Sequence, residues 1–464
     1  MNVFTHIFAC FVTLLIASAA FAAAPPNIVF MLSDDQHWDE ASIAMHPDSK
    51  HSFRDELSTP RLEQFASEGM RFSSAYAPAP VCSPTRISLM TGQSPAALHW
   101  TRAGPSLNAS NNPKLIPPRS NRSIDASQTT FAKLLQQAGY RTAHLGKWHL
   151  SGGGPESHGF DVSDGNIGNE ASAKYKAPNP VNLFGMAKRA EAFMAASKEQ
   201  GKPFFIQLSW LALHSPENAL PKTVEKYEQA GMRRGRPAQR AALTENMDTA
   251  VGRVLDSLDK LGLAENTFVI FMSDNGGNSR GGINGGKGNL YEGGIRVPLI
   301  IRGPGVAKDS WSHTPVIGYD LYPTFLEWAG VSNPPATVTD TIEGGSIAGL
   351  LNNKTQEVQR QRDGLVFHFP HYQTKVGPHS AIRLGDYKLI KFYETNEVEL
   401  YNLKNDLTEK TNLAKKLPDQ THDLEERLDK ALSELGAELP TANKQYDPSK
   451  PTEISSGPKK GKRR

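Results

Sequence analysis

The chain has 464 residues, with 51 Lys and Arg against 48 Asp and Glu, which is room for one large α/β domain and a smaller one. Six of the basic residues fall in residues 450–464 against the single Glu453, so the body is near neutral and offers no case for nucleic-acid binding. Of its two cysteines only Cys82 lies beyond the leader, which excludes an internal disulfide and leaves stability to the core.

Residues 1–22 read as an export signal. An apolar run from Ile7 to Ile16 leads to Ala20-Phe21-Ala22, a small-x-small cleavage pattern, although Lys and Arg are missing before it. The run is too short to span a membrane, and no later stretch is long and apolar enough, so no transmembrane segment is expected. Asn27 to Ser33 is apolar on both faces, as in a buried parallel strand, and ends in Asp34-Asp35. Thr59-Pro60 opens a helix through Phe65. Pro84 suits a first helical position, with Ile87, Leu89 and Met90 following and Gly92 as the stop. Cys82 therefore precedes a helix N-terminus, which favours an anion or a thiolate, although a lone cysteine is commonly buried and inert.

Residues 103–126 are rich in Pro, Asn and Ser and read as a surface loop. A helix from Ser127 or Thr129 carries Phe131, Leu134 and Leu135 on one face and stops at Gly139. The strand Arg141 to Leu145 delivers Lys147 and His149, and residues 151–180 are again loop-like. Pro203 to Ser209 is a buried strand leading to His214. A long helix with Val251, Val254, Leu255, Leu258 and Leu261 precedes the strand Thr267 to Met272, which runs into Asp274-Asn275. Residues 281–294 are glycine-rich and hold Lys287. Val297 to Ile301 is a strand and Asp320 to Trp328 a helix. Beyond Asn352 short strands at 365–369, 381–383 and 387–392 precede a charged helix at 420–435.

Strands alternating with helices imply an α/β fold, a large mostly parallel sheet sandwiched by helices, with a smaller C-terminal α+β subdomain. The boundaries expected are 1–22 signal, 23–352 catalytic domain, 353–445 subdomain and 446–464 a disordered basic tail. Ligands collect beyond the carboxyl ends of parallel strands, where Asp34, Asp35, Lys147, His149, His214, Asp274 and Asn275 all fall. The four Asp and Asn side chains offer only oxygen donors, which suits a hard cation, Ca²⁺ better than Mg²⁺. Turn carboxylates without a metal are equally common in this setting.

Cys82-x-Pro84-x-Arg86, continued by Ser88-Leu-Met-Thr-Gly92, resembles the signature of type I sulfatases, members of the alkaline phosphatase superfamily. Gly139 to His149, Leu290 to Pro298 and Glu399 to Leu403 extend the likeness over nearly all of the mature chain. The resemblance implies that a formylglycine-generating maturation enzyme oxidises Cys82 to an aldehyde, whose hydrate is nucleophile and metal ligand. It implies that Asp34, Asp35, Asp274 and Asn275 complete the Ca²⁺ site, with Asn275 and the lysines standing where two-zinc phosphatases carry histidines and a second metal. Arg86 and Lys147 would hold the hydrate and the sulfate, His149 would act on the hydrate as acid or base, His214 would protonate the leaving alcohol, and Lys287 would bind a sulfate oxygen.

The function expected is thus an exported sulfatase, periplasmic or secreted, acting on a sulfated carbohydrate. Trp38, Trp100 and Trp210 near strand ends are candidates to stack on sugars, and Phe367 to Tyr372 with Arg383 resemble the pocket residues of polysaccharide sulfatases. Two alternatives remain open at this point. One is a formylglycine-dependent phosphodiester or phosphonate-ester hydrolase, and the other is an inactive glycan-binding homologue.

Overall fold

A computed structural model describes residues 24–104, 111–166, 182–215, 217–278 and 282–450. The expected export signal and the chain from 451 onward lie outside the described residues, as do parts of both long loops. Among the described residues no helix is long and apolar enough to cross a membrane.

Strand β1 (Asn27–Ser33) is apolar from Ile28 to Leu32 because both of its faces are covered. Val29 and Met31 enter one core, and Ile28, Phe30 and Leu32 enter the other. Its sheet also contains β2 (Met70–Phe72), β3 (Arg141–Gly146), β4 (Val162–Ser163), β5 (Phe204–Ser209), β6 (Thr267–Ser273), β7 (Leu299–Arg302) and β8 (Ser310–Ser312). The eight strands lie in the order β8-β2-β7-β6-β1-β5-β3-β4. From β6 to β4 neighbours are parallel, whereas β7 runs against both of its neighbours. The mostly parallel sheet expected from the alternation of elements is therefore present.

Helices α1 (Pro60–Ser67), α2 (Cys82–Thr91), α3 (Phe131–Gln137), α4 (Leu183–Glu199), α5 (Pro221–Gln229), α6 (Arg236–Lys260) and α7 (Leu321–Trp328) cover the sheet. Residues of α1, α4, α5 and α6 join the core with Val29, and those of α2, α3 and α7 join the core with Phe30. Helix α4 had no clear signal in the sequence. Its alanines lie on both the buried face, Ala187 and Ala190, and the more exposed one, Ala192, Ala195 and Ala196, which blunts the hydrophobic contrast between the two. Strands β2 and β8 are three residues each, too short for a periodicity.

The smaller unit is an antiparallel sheet of β9 (Leu365–Phe369), β10 (His379–Leu384), β11 (Tyr387–Phe392) and β12 (Val398–Asn402), backed by α8 (Pro418–Glu434). Its strands alternate. Val366, Ile382, Leu389 and Leu400 meet Leu424 and Leu428 of α8, while Phe367, Phe369, Ala381 and Ile390 pack against Val81 and Leu290 of the large domain. At this junction Lys388 lies 2.8 Å from Glu292 and 2.7 Å from Glu409, and Arg296 lies 2.6 Å from Glu292. All four side chains are buried, which a low-dielectric interior tolerates only because each charge has a partner. The chain then returns to the large domain. Residues 441–442 pair with 115–116, and the Asn112 amide donates to the carbonyls of Asp447 at 2.7 Å and Lys450 at 3.0 Å. The first residues of the basic tail are thus tied down.

Candidate active site

Strand register assembles the site. Ser33 pairs with Ser273, and Ser209 pairs with both Leu32 and Gly146, so β1, β3, β5 and β6 end at one level. The backbone crosses there in sequence-remote steps. Asp274 N–H donates to Ser33 O at 3.0 Å, Lys147 N–H to Ser209 O at 2.9 Å, and Asp34 N–H to Ala212 O at 2.8 Å. Asp34, Lys147 and Asp274 are thereby set side by side. The crossings are tight enough to require glycine. A Cβ at Gly146 would stand 2.2 Å from Ser209 O, and one at Gly277 2.2 Å from Asp35 O, and both residues have positive φ. Asp35 (φ 60°) and His149 (φ 62°) also occupy the left-handed region, which Asp and His enter more readily than most residues.

Cys82 is in the first turn of α2, behind the N-cap Val81, and Gly92 closes the helix in the left-handed conformation. The helix thus begins two residues before Pro84. Its thiol lies 3.3 Å from Asp34 Oδ1, 3.7 Å from Asp35 Oδ1, 3.6 Å from Asn275 Nδ2 and 3.4 Å from Lys287 Nζ. Arg86, one turn on, donates to Asp274 Oδ2 from Nε at 3.1 Å and Nη2 at 2.8 Å, and from Nη1 to the Lys147 carbonyl at 2.7 Å. The glycine-rich loop reaches the same point. Gly288 N–H donates to Pro80 O at 2.9 Å, and Lys287 Nζ lies 2.6 and 2.7 Å from the two Asp35 oxygens.

The cluster is electrostatically closed. Burial alone would raise Asp34, but its contact with Lys147, reinforced by Arg86, holds it far below the usual carboxylate range. Burial, with Asp34 beside it, pushes Asp274 up. Burial pushes the Cys82 thiol well up and Asp274 and Asp34 add to this, so here the helix N-terminus does not yield the thiolate that its position suggested. Burial would lower Lys147 and Lys287, but Asp34 and the neighbouring acidic groups keep both above the ordinary lysine value. Burial and then Lys147 bring His149 down to about 3, so its ring is neutral, and its buried Nδ1 has no hydrogen-bond partner among the described residues. His214 stands at the rim, partly exposed, with Nε2 3.9 Å from Asp35 Oδ2 and Nδ1 donating to Ser215 O at 2.7 Å.

A family model described as Sulfatase matches residues 26–331, and one described as N-sulphoglucosamine sulphohydrolase, C-terminal, matches residues 286–438. The chain belongs to the sulfatase family. It is 31% identical to arylsulfatase A of Homo sapiens, covering 81% of this chain and 76% of the relative. It is 30% identical to N-acetylgalactosamine-6-sulfatase of Rattus norvegicus, covering 82% of this chain and 74% of the relative. The fold is also that of the crystal structure of Ps i-CgsB in complex with k-i-k-neocarrahexaose, with a TM-score of 0.72 at 24% identity over 88% of this chain and 93% of that one.

This sulfatase has a donor set that fits a hard cation. Ligand atoms of Asp34, Asp35, Asp274 and Cys82 lie within 4.8 Å of one another, all buried. The Asn275 amide nitrogen faces Asp35 Oδ1 at 2.9 Å and Asp274 Oδ1 at 2.7 Å, while its oxygen accepts from the Gly277 N–H at 3.0 Å. Turning that oxygen toward a cation would give up its hydrogen bond from Gly277.

Every site residue picked out in the sequence borders this cluster. Other expectations are corrected. Trp38, Trp100 and Trp210 are 1%, 3% and 0% exposed, so they pack and stack on no ligand. Phe367 and Phe369 are core, His368 bonds Ser380, and Arg383 lies over the Tyr76 ring, leaving His371 and Tyr372 on a cavity. A residue the sequence does not flag is Arg240 of α6. It donates to the carbonyls of Asp35 at 2.7 Å and Leu213 at 3.0 Å and pairs with Glu40, which fixes the backbone before His214. Nothing distinguishes it from the other charged residues of that helix.

Proposed function

We propose that this sulfatase is exported and hydrolyses sulfate esters of a carbohydrate, with Cys82 converted to formylglycine and Ca²⁺ held by Asp34, Asp35, Asp274, Asn275 and the modified residue 82. The observation that carries this reading is a buried Cys82 set between three carboxylates and the Lys287 ammonium. A carbohydrate substrate is supported by the N-acetylgalactosamine-6-sulfatase relative and by a structural neighbour that holds an oligosaccharide. The leader at residues 1–22 supports export.

When present, Ca²⁺ would supply positive charge against the sulfate oxygens, and the aldehyde a hydroxyl nucleophile that can be regenerated. The remaining work falls to residues in view. Lys147 and Lys287, whose ammonium groups lie on Asp34 and Asp35, would stabilise the negative charge that develops on a sulfate bound beside them. Arg86 holds Asp274 and the Lys147 backbone in place. The unpartnered Nδ1 of His149 is placed to hydrogen-bond the hydrate of residue 82. His214 donates its Nδ1 proton to a carbonyl, so a proton on Nε2, opposite Asp35, is the one it can give to a departing alcohol.

Mass spectrometry of the peptide containing residue 82, in protein from its native host, tests the modification. An aldehyde or its hydrate is expected, and an unmodified thiol would favour a glycan-binding role. Rates on matched sulfate and phosphate esters test the bond cleaved, and faster phosphate-ester hydrolysis would overturn the assignment.

A further inference from the structure

The loop that carries Lys287 is gripped from two sides. The large domain holds its start, where Lys287 N–H donates to Gly277 O at 2.6 Å and Gly288 N–H to Pro80 O at 2.9 Å. The smaller domain holds the residues that follow, through side chains remote in sequence. Gln373 lies so close to Gly288 that a Cβ there would meet it at 2.8 Å. Leu290 N–H donates to His379 Nε2 at 2.8 Å, Tyr291 Oη to Glu399 at 2.6 Å, and Glu292 N–H to Glu409 at 2.7 Å.

Of these contacts, the one to His379 is the most exacting. His379, the first residue of β10, and Leu290 are both 0% exposed, so solvent cannot stand in for either partner. The ring stacks on Phe392 at an interplanar angle of 15° and meets Phe369 at 75°, which fixes its plane. Nδ1 lies 2.7 Å from Gly377 O. A carbonyl only accepts, so the ring hydrogen sits on Nδ1 and Nε2 is left as an acceptor. Burial brings the ring down to about 4, so this neutral form persists at neutral pH. Leu290 is three residues beyond Lys287, whose Nζ lies 2.6 and 2.7 Å from the Asp35 oxygens and 3.4 Å from Cys82 Sγ. The intervening Gly288 has positive φ and brings no stiffness of its own. The place of the lysine is therefore set by what grips the loop on either side.

We propose that His379 is a positioning residue for the reaction, which by accepting Leu290 N–H holds the loop so that Lys287 meets the group bound at residue 82. The smaller domain then shapes the reactive cluster through main chain. What Lys287 does there rests on the sulfatase reading above, whereas the grip on the loop does not.

Two amides separate the two bonds of the ring. In His379→Asn the amide nitrogen replaces Nδ1 and keeps the bond to Gly377, but the side chain is too short to reach Leu290. In His379→Gln the amide oxygen replaces Nε2 and keeps the bond from Leu290, while the one to Gly377 is lost. Each variant loses one buried hydrogen bond, so their urea midpoints should fall by similar amounts. Turnover is measured on full-length, Ca²⁺-loaded enzyme, with whichever of para-nitrophenyl sulfate and a sulfated disaccharide wild type hydrolyses faster. The value of kcat should fall about 10-fold or more in His379→Asn and less than about threefold in His379→Gln. In a Lys287→Met background, His379→Asn should change kcat by less than about twofold. His379→Leu, a second variant without an acceptor, takes its place if His379→Asn does not fold. Equal losses in the two amide variants, or the same loss with and without Lys287, would overturn the positioning role. Failure of the sulfatase reading would appear instead as no turnover of either ester by wild type. Crystal structures of the amide variants then decide alone. Lys287 Nζ displaced from Asp35 by about 1 Å or more only in His379→Asn upholds the role, and an unmoved Nζ overturns it.

Discussion

Lys147→Met separates charge from shape in the reactive cluster. Lys147 is 3% exposed, and its ammonium pairs with Asp34, which is 0% exposed. Asp34, Asp35 and Asp274 face Arg86, Lys147 and Lys287, so three carboxylates are matched by three cations before any metal binds. Methionine keeps most of the lysine stem and removes one positive charge, leaving the cluster net negative. Breaking a buried pair costs on the order of 3–5 kcal/mol. Because Arg86 remains 3.8 Å from the same Asp34 oxygen, the low end of that range is expected in metal-free protein.

Calcium affinity should move the other way. The ligand atoms lie within 4.8 Å of one another, so an ion among them is repelled by the ammonium from a few ångströms away. A divalent ion and a unit charge at about 4 Å and an effective dielectric near 20 interact by about 8 kcal/mol. Relief of even about a sixth of that tightens binding about tenfold. Turnover should fall by about 10²–10³, the usual consequence of removing one preorganised charge from a site of this kind. Urea unfolding with and without Ca²⁺, calorimetric Ca²⁺ titration and kcat on a sulfated saccharide read the three effects separately. A Ca²⁺ affinity that falls together with turnover would refute the competition argument, and undiminished turnover would refute the role in sulfate binding.

Cys82→Ala should abolish turnover while leaving far-UV circular dichroism and the urea midpoint close to wild type, and residual catalysis would contradict the assigned nucleophile. Removing Ca²⁺ with a chelator should raise KM as well as lower kcat, because a neutral lining attracts no anion, and readdition should restore both. Burial raises Asp248 to about 6 despite the N–H groups of Leu62 and Arg61, so its protonated form contributes stability at low pH that is lost as pH rises from about 4 through 6. Asp248→Asn removes up to about 3 kcal/mol of that loss and forfeits about 1 for one hydrogen bond, so it should be more stable than wild type at pH 7.5 but not at pH 4.5 in urea denaturation. Lys388→Met should destabilise by about 3–5 kcal/mol, since Glu292 keeps Arg296 while Glu409 loses the ion pair it makes among the described residues, and Glu409→Leu in the same chain should recover much of it.

The centre of the fold is legible in the sequence because β1, β5 and β6 are buried on both faces and are therefore largely apolar. The carboxylates beyond them are legible because parallel strands end together, a relation the register of Ser33, Ser209 and Ser273 makes concrete. Helix α4 is obscured by alanines on both of its faces, which flatten the contrast between them. Arg240 acts through backbone carbonyls, and no local pattern marks a side chain whose partner is remote main chain. The tryptophans mislead because their size suits both a sugar platform and a core, and only burial decides between them.

Charge also bears on the proposed conversion of Cys82 to an aldehyde. A thiolate there would add a fourth negative group to three carboxylates, and burial, Asp274 and Asp34 all oppose it, leaving Sγ protonated among acceptors. A neutral thiol is a poor nucleophile toward a sulfate ester, whose oxygens already turn away electron-rich groups. Ionising the thiol would require more positive charge in the lining, whereas replacing sulfur by an uncharged carbonyl leaves the balance of three against three undisturbed. The second course also frees Lys147 and Lys287 from offsetting a thiolate, so that their charge remains available to the incoming anion.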